Sequence, residues 1–252
     1  MISILMSCYK SNFEYLKQQI DSIINQTEKG WKLMIWNDGT EGLGKWLKEN
    51  YDGKPIIFYD GEHFGYAGAY RTLLKEATGE YVCFCDHDDI WVPDKLETEK
   101  KYLDEHQDVD CVFGWLQWFG EKNKLESFHI SDEQISKDLF FYQPIKQPTA
   151  MFRRKRFGSF DAPFDEAADF WFWAKHKDRH FHLIEKVMVN YRRHSGELTK
   201  DKTAFRVNSA KVIQESIRER CGKILPLDLC SKLDKYSKTY NDDMKRLVES
   251  FL

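Results

Sequence analysis

Four short apolar runs divide the first hundred residues: 2–7, 31–36, 55–59 and 81–85. Between them the apolar positions fall at helical spacing. After Asn12, a residue type favoured at helix N-termini, Phe13, Leu16, Ile20, Ile23 and Ile24 form one face. Residues 43–49 and 65–77 read as two further helices, the latter closed by Gly79, and Pro93 opens another that runs to about residue 106. Runs apolar on both sides, alternating with helices, predict a parallel sheet covered on both faces.

Beyond Val109 the rhythm changes. Residues 111–119, 147–152 and 181–191 read as strands, 121–127 as a polar loop, and 132–141 and 166–176 as short helices. Two helical stretches, 205–219 and 227–252, complete the chain. There is no internal repeat and no low-complexity linker, so the pattern predicts one α/β domain with a helical C-terminal extension.

The 252 residues suffice for a sizeable core, and 42% hydrophobic with 15% aromatic content marks a globular chain. A net charge of −3 gives no basic footprint for nucleic acid. No apolar stretch reaches membrane-span length, and the first residues lack the build of a signal peptide. The six cysteines show no zinc spacing, and Cys83 and Cys85 fall on one face of one strand as buried, reduced thiols. These features predict a cytoplasmic protein.

The chemistry gathers where the run 81–85 ends in Asp86-His87-Asp88-Asp89. A buried strand that ends in acids presents them at the sheet edge, where open α/β sheets bind ligands. Three carboxylates this close repel one another unless a cation sits among them. One acid would serve as a helix cap; three call for a hard cation, Mn²⁺ or Mg²⁺, with open positions for phosphate oxygens. Asn37-Asp38-Gly39-Thr40 forms a turn signal at another strand end. The run Arg153-Arg154-Lys155-Arg156 fits either a solvated edge or a phosphate contact, and most of Trp115, Trp118, Trp171 and Trp173 fit core packing. His176, His180 and His182 have no acid or cysteine pattern around them that would suggest a ligand set.

Four segments in order, each at a predicted strand end, resemble family 2 glycosyltransferases of the GT-A fold, especially bacterial rhamnosyltransferase-like members. They are Ser7-Cys8-Tyr9; Asn37-Asp38-Gly39-Thr40; Phe64-Gly65-Tyr66-Ala67 with Ala77-Thr78-Gly79-Glu80-Tyr81; and Asp86-His87-Asp88-Asp89-Ile90-Trp91. The resemblance implies a GT-A domain over residues 1–199, with a Rossmann-like mixed sheet and helices on both faces. Its nucleotide-binding half would be 1–106, its acceptor half 107–199, and the extension 200–252. It also implies nucleotide-sugar contacts at Ser7, Tyr9, Asp38, Arg71, Asp86 and Asp88, and a metal on Asp88. Asp169 in Ala168-Asp169-Phe170-Trp171-Phe172-Trp173 resembles the catalytic base, and His194 in Tyr191-Arg192-Arg193-His194 resembles a late histidine that reaches metal or diphosphate.

Three departures stand out: Asn37 for a first acid, Lys10 for a common Asn, and Ala168 for a frequent Glu. The implied activity is inverting, metal-dependent transfer from a UDP- or dTDP-sugar to a saccharide or lipid-linked acceptor in surface-polysaccharide synthesis. The alternatives are a nucleotidylyltransferase, which would want a Gly-rich basic loop after the first strand, and a non-catalytic nucleotide-sugar-binding partner. The tail from Phe205 mixes apolar and basic residues, so packing on the domain, dimer formation and peripheral contact with the inner membrane face all stay open.

Overall fold

The computed structural model describes residues 1–195, 202–235 and 241–252. Strands β1 (Ile2–Cys8), β2 (Trp31–Asn37), β3 (Ile56–Asp60) and β4 (Tyr81–Cys85) are parallel neighbours in the order β3-β2-β1-β4. Helices α1 (Phe13–Ile24), α2 (Leu43–Tyr51) and α3 (Gly65–Glu76) connect them. The Asn12 carboxamide caps α1 by accepting the N–H groups of Glu14 and Tyr15. Gly79 does not terminate α3, which ends at Glu76. Its role is close approach, since a Cβ there would sit 2.6 Å from the backbone nitrogen of Ser3.

After β4 the chain makes the short strand β5 (Ile90–Trp91) and helix α4 (Lys95–Glu105). The sheet then continues with β6 (Cys111–Gly120), β7 (Lys124–Glu126), β8 (Met151–Arg153) and β9 (Phe181–Arg193). The full order is β3-β2-β1-β4-β8-β6-β9-β5, with β7 on β6. Strand β8 runs antiparallel to β4 and β6, while β9 runs parallel to β6 with register shifts between Phe113 and Leu116. The sheet is therefore mixed, as the GT-A resemblance implies, and not parallel throughout.

Three local expectations change. Residues 121–127 contain β7. The run 147–152 is a 3₁₀ turn (Gln147–Thr149) followed by β8, because Pro148 has no N–H to give a ladder. The basic run after Phe152 is not a uniformly solvated edge. Arg153 is buried and donates to the carbonyls of Leu103, His106 and Val109, closing the end of α4. It also pairs with Tyr81 at the start of β4, the end of the sheet away from the acids.

Side-chain parity divides the core. In β1 and β4, Ile2, Ile4, Met6, Tyr81, Cys83 and Cys85 face α1, α2 and α4. Leu5, Val82 and Phe84 face α3 and the later helix α6 (Ala168–Lys175). All six cysteines are unbonded, and burial pushes the Cys8 and Cys83 thiols up to about 12.

Helix α5 (Asp132–Asp138) precedes β8, and the tail supplies α7 (Lys202–Cys221), α8 (Leu227–Leu233) and α9 (Asp242–Glu249). The expected helical stretch over 227–252 holds two helices among the described residues, and the expected domain boundary at 199/200 lies outside them. A third apolar cluster joins Ala210, Val212, Ile213 and Ile217 of α7 to Ala167, Phe170 and Ala174 around α6. Packing on the domain is what the apolar face of α7 does. Among the described residues no helix is long and apolar enough to cross a membrane.

Candidate active site

The strand order reverses at β1: the chain winds outward through β2 and β3, then returns to place β4 on the other side. In a doubly wound sheet that reversal opens a crevice at the carboxyl ends of the strands. Residues 7–9, 37–40 and 86–89 all lie at those ends.

At the β2 end, Asp38 is buried. One of its carboxylate oxygens accepts the N–H of Phe64 at 2.7 Å, and the other lies 2.8 Å from His63 Nδ1. His63 Nδ1 is equally close to the Asp38 carbonyl, also an acceptor, so this nitrogen carries the hydrogen. The His63 ring stacks on Tyr9, with centroids 4.7 Å apart. Asn37, the departure from the family acid, uses its carboxamide to bind Asp60 and the N–H groups of Gly39 and Thr40. Tyr9, His63 and Asp38 form one wall.

The centre of the crevice is the β4 end. Parity turns Asp86 to the Phe84 side, toward α3. Burial, then the charges of Asp88 and Asp169, raise its pKa to about 7. Asp89 is buried and has its pKa pushed well up, first by burial and then by Asp88 and Asp86. One Asp89 oxygen accepts the N–H of Arg192 at 2.9 Å, and the other has no hydrogen-bond partner. Thus Asp89 anchors the end of β9 to the acidic turn. Arg192 strengthens the joint by donating to the Asp88 carbonyl at 2.7 Å.

That joint delivers His194, whose Nε2 lies 2.8 Å from an Asp88 carboxylate oxygen. His87 donates from Nδ1 to the Ser7 carbonyl at 3.3 Å, and burial lowers its pKa. Ser7 thereby supports the acidic turn with its backbone.

The opposite wall is α6 and the segment before β8. Asp169, in the first turn of α6, is half-buried. One oxygen accepts the Phe170 N–H and the other accepts from Gln143 Nε2 at 2.9 Å. Burial raises its pKa; hydrogen bonds from Gln143 and Phe170, then the Lys146 charge, pull it back partway. Tyr66 of α3 stands between the walls. Its hydroxyl accepts from Gln147 Nε2 at 2.5 Å, and the charges of Asp86 and Asp169 both reach it.

The two walls are tied by Asp165, which accepts the Ala67 N–H at 2.8 Å in place of a local cap on α3. Gly65 makes this possible: at φ +72°, a Cβ would lie 2.3 Å from an Asp165 oxygen.

The structure therefore gathers Ser7, Tyr9, Asp38, Asp86, Asp88, Asp169 and His194 around one crevice. Arg71 is different. It is exposed, and its guanidinium donates to the carbonyls of Phe160 and Ala162. Its neighbour Tyr70 is the α3 residue that reaches the strand end, donating to the Cys85 carbonyl at 3.0 Å. Helical phase separates the two by about 100°. Sequence reasoning missed His63, Tyr66, Gln143 and Gln147; only the Phe64-Gly65-Tyr66 segment carried a signal for any of them.

The three later histidines do not assemble. His180 and His182 both meet Asp132, while His176 Nε2 accepts the Gly158 N–H. Among the described residues, no three His, Cys, Asp or Glu side chains form a ready metal-holding group. Asp88 and His194 offer an adjacent pair instead. Their 2.8 Å separation is close to the roughly 3 Å between neighbouring ligands of a small octahedral cation.

The sequence profile of the family described as Glycosyl transferase family 2 matches residues 3–175. An uncharacterised glycosyltransferase of Methanocaldococcus jannaschii is 29% identical over 204 residues, 76% of this chain and 70% of that one. A UDP-Glc:alpha-D-GlcNAc-diphosphoundecaprenol beta-1,3-glucosyltransferase of Escherichia coli is 24% identical over 174 residues, 69% of this chain and 68% of that one. The chain spans 70% of the length of the Methanocaldococcus jannaschii relative and 20% of that of a Streptococcus pneumoniae relative, Glycosyltransferase GlyA.

Among solved structures, the S. aureus TarS 1–349 complex with UDP-GlcNAc superposes with a TM-score of 0.66 at 14% identity, over 100% of this chain and 79% of that one. The likeness carries the fold. The family match sets aside nucleotidyl transfer as the alternative. With a mixed sheet, acids at its carboxyl edge and a profile match over most of its length, the chain belongs to glycosyl transferase family 2 and is a glycosyltransferase of the GT-A fold.

Proposed function

We propose that this chain is an inverting, metal-dependent glycosyltransferase. It moves a sugar from a UDP- or dTDP-sugar to a hydroxyl of a saccharide or lipid-linked acceptor in surface-polysaccharide synthesis. The observation that carries this reading is the acidic turn at the carboxyl end of β4, where Asp88 meets His194 at 2.8 Å, with Asp169 held on the α6 wall by Gln143 and the Phe170 N–H. The Escherichia coli relative, named for a UDP-Glc donor and a diphosphoundecaprenol acceptor, supports the substrate classes.

On this reading the base and ribose lie on the wall of Ser7, Tyr9 and Asp38, with Asp86 toward the ribose. A base stacked on Tyr9 displaces His63 or adds to its stack. Arg71 drops out of the set because its guanidinium already braces residues 160–162. Asp88 and His194 would hold Mn²⁺ or Mg²⁺, His194 giving up the Nε2 hydrogen it now donates to Asp88. A cation held there supplies neutralising charge to the departing diphosphate.

An acceptor hydroxyl is a poor nucleophile at neutral pH. Asp169 takes its proton as the new C–O bond forms and the bond to the diphosphate breaks. Burial makes this carboxylate a stronger base than an exposed one. General base catalysis of this kind contributes about 10²–10⁴-fold. Attack from the Asp169 wall, opposite the leaving group, inverts the anomeric carbon.

The test is a panel of UDP- and dTDP-sugars screened by thermal shift with and without Mn²⁺, followed by transfer assays on Asp169→Asn. The expected result is lost transfer with UDP or dTDP affinity nearly unchanged. Lost affinity with residual transfer overturns the assignment of the base.

A further inference from the structure

The carboxylate assigned as the base is held by a side chain from outside its own helix. Gln143 lies between α5 and β8. Its Nε2 donates both to Asp169 Oδ2 at 2.9 Å and to the Ile145 carbonyl at 2.7 Å. Both partners are acceptors only. A flipped amide would set its own oxygen against two oxygens, so the contacts fix which end of the amide faces Asp169. The second Asp169 oxygen accepts the Phe170 N–H at 2.8 Å, so the carboxylate is gripped at both ends.

The backbone on either side of Gln143 is also restrained. Tyr142 donates to Asp138 and meets Lys235 after α8, and Pro144 follows. Gln143 is therefore supported by α5 and by the tail, while Asp169 rides on α6.

We propose that Gln143 is a positioning residue for glycosyl transfer, holding the Asp169 carboxylate in one rotamer with its remaining lone pairs turned to the acceptor hydroxyl. The inference rests on the reading of Asp169 as the base. Gln143 itself moves no proton: the acceptor proton passes to Asp169, and the electron pair of the broken C–O bond leaves with the diphosphate.

A donor to the charged form also favours ionisation, against the desolvation that opposes it. The other groups facing Asp169 are Asp86 at the end of β4, Tyr66 on α3 and Lys146, which is itself paired with Glu126 at 2.8 Å. Lys146 works for ionisation, and Gln143 supplies the only side-chain hydrogen bond to the carboxylate among the described residues.

The experiment follows the Asp169 carboxyl carbon by NMR in metal-free, ¹³Cγ-aspartate-labelled full-length protein, the signal assigned by its loss in Asp169→Asn. In Gln143→Leu, which keeps the bulk and removes the donor, the titration midpoint is expected to rise by about one pH unit, the size of one charge-assisted hydrogen bond. Gln143→Met serves if the leucine variant does not fold. A midpoint unchanged within a few tenths in a folded variant overturns the role of Gln143 and leaves the base untouched. Transfer that survives Asp169→Asn overturns the base, whatever the midpoint does.

Discussion

His194 Nε2 stands 2.8 Å from Asp88 Oδ2, joining the end of the last strand to the acidic turn across 106 residues of sequence. The contact depends on β5 pairing antiparallel with β9, Ile90 opposite Asn190, which brings the end of β9 to the β4 edge.

If this pair holds the cation, its two halves are unequal. Asp88→Asn removes a charge and is expected to abolish the Mn²⁺-dependent part of UDP binding. His194→Ala removes one neutral ligand and is expected to weaken that part by roughly tenfold, ~1.4 kcal/mol. Calorimetry of UDP binding with and without Mn²⁺ measures both. Equal, Mn²⁺-independent losses would contradict the arrangement.

Asp86 gives a pH signature. Its folded pKa of about 7 lies above the ordinary carboxylate value, so between the two the folded state binds more protons than the unfolded state. That contribution to stability is present at low pH and is lost as pH rises toward 7. In metal-free protein, Asp86→Asn is expected to gain on the wild type as pH goes from 5 to 8. Melting temperatures across that range check it, and a constant difference refutes it.

Beneath the sheet, Lys95 and Glu99 form a fully buried ion pair, 2.7 Å apart, with the Lys95 ammonium over the Trp91 ring and Glu99 Oε1 left without a partner. Lys95→Met strands a buried carboxyl and is expected to cost up to about 3–5 kcal/mol at pH 9, where Glu99 is ionised beside Lys95. The double change Lys95→Met/Glu99→Leu should recover most of it. Burial holds the Glu99 pKa up at about 7 even beside Lys95, so the cost should shrink at pH 5 as Glu99 protonates. Urea unfolding at the two pH values measures these differences.

The tail makes a prediction of its own. Ile213 of α7 is fully buried in the cluster shared with Phe170 and Ala174. Ile213→Ala is expected to destabilise the lipid-free protein by about 2–4 kcal/mol. A helix whose apolar face awaited a membrane would lose almost nothing, and liposome flotation would then report the difference instead.

Individual elements show where the pattern sufficed. The caps and spacing of α1, the doubly apolar β1, β2 and β4, and the acids after Cys85 were legible because each signal is local. The 3₁₀ turn at Gln147, strand β7 and the paired strand β5 were not, since each depends on a partner distant in sequence. The surroundings of Arg71 were not legible for a related reason: the motif placed the helix, while helical phase turned Tyr70 to the Cys85 carbonyl and Arg71 to the carbonyls of Phe160 and Ala162.

The sequence by itself determined the alternation of elements and the chemical inventory at the strand ends, because periodicity and turn residues act over a few neighbours. Only the tertiary structure decided which partner each acid meets. It buried Asp89 against the Arg192 backbone, turned Asp86 toward Asp169, set His194 on Asp88 and placed Gln143 against Asp169. Those outcomes depend on strand parity and long-range packing, and no window of sequence contains both partners.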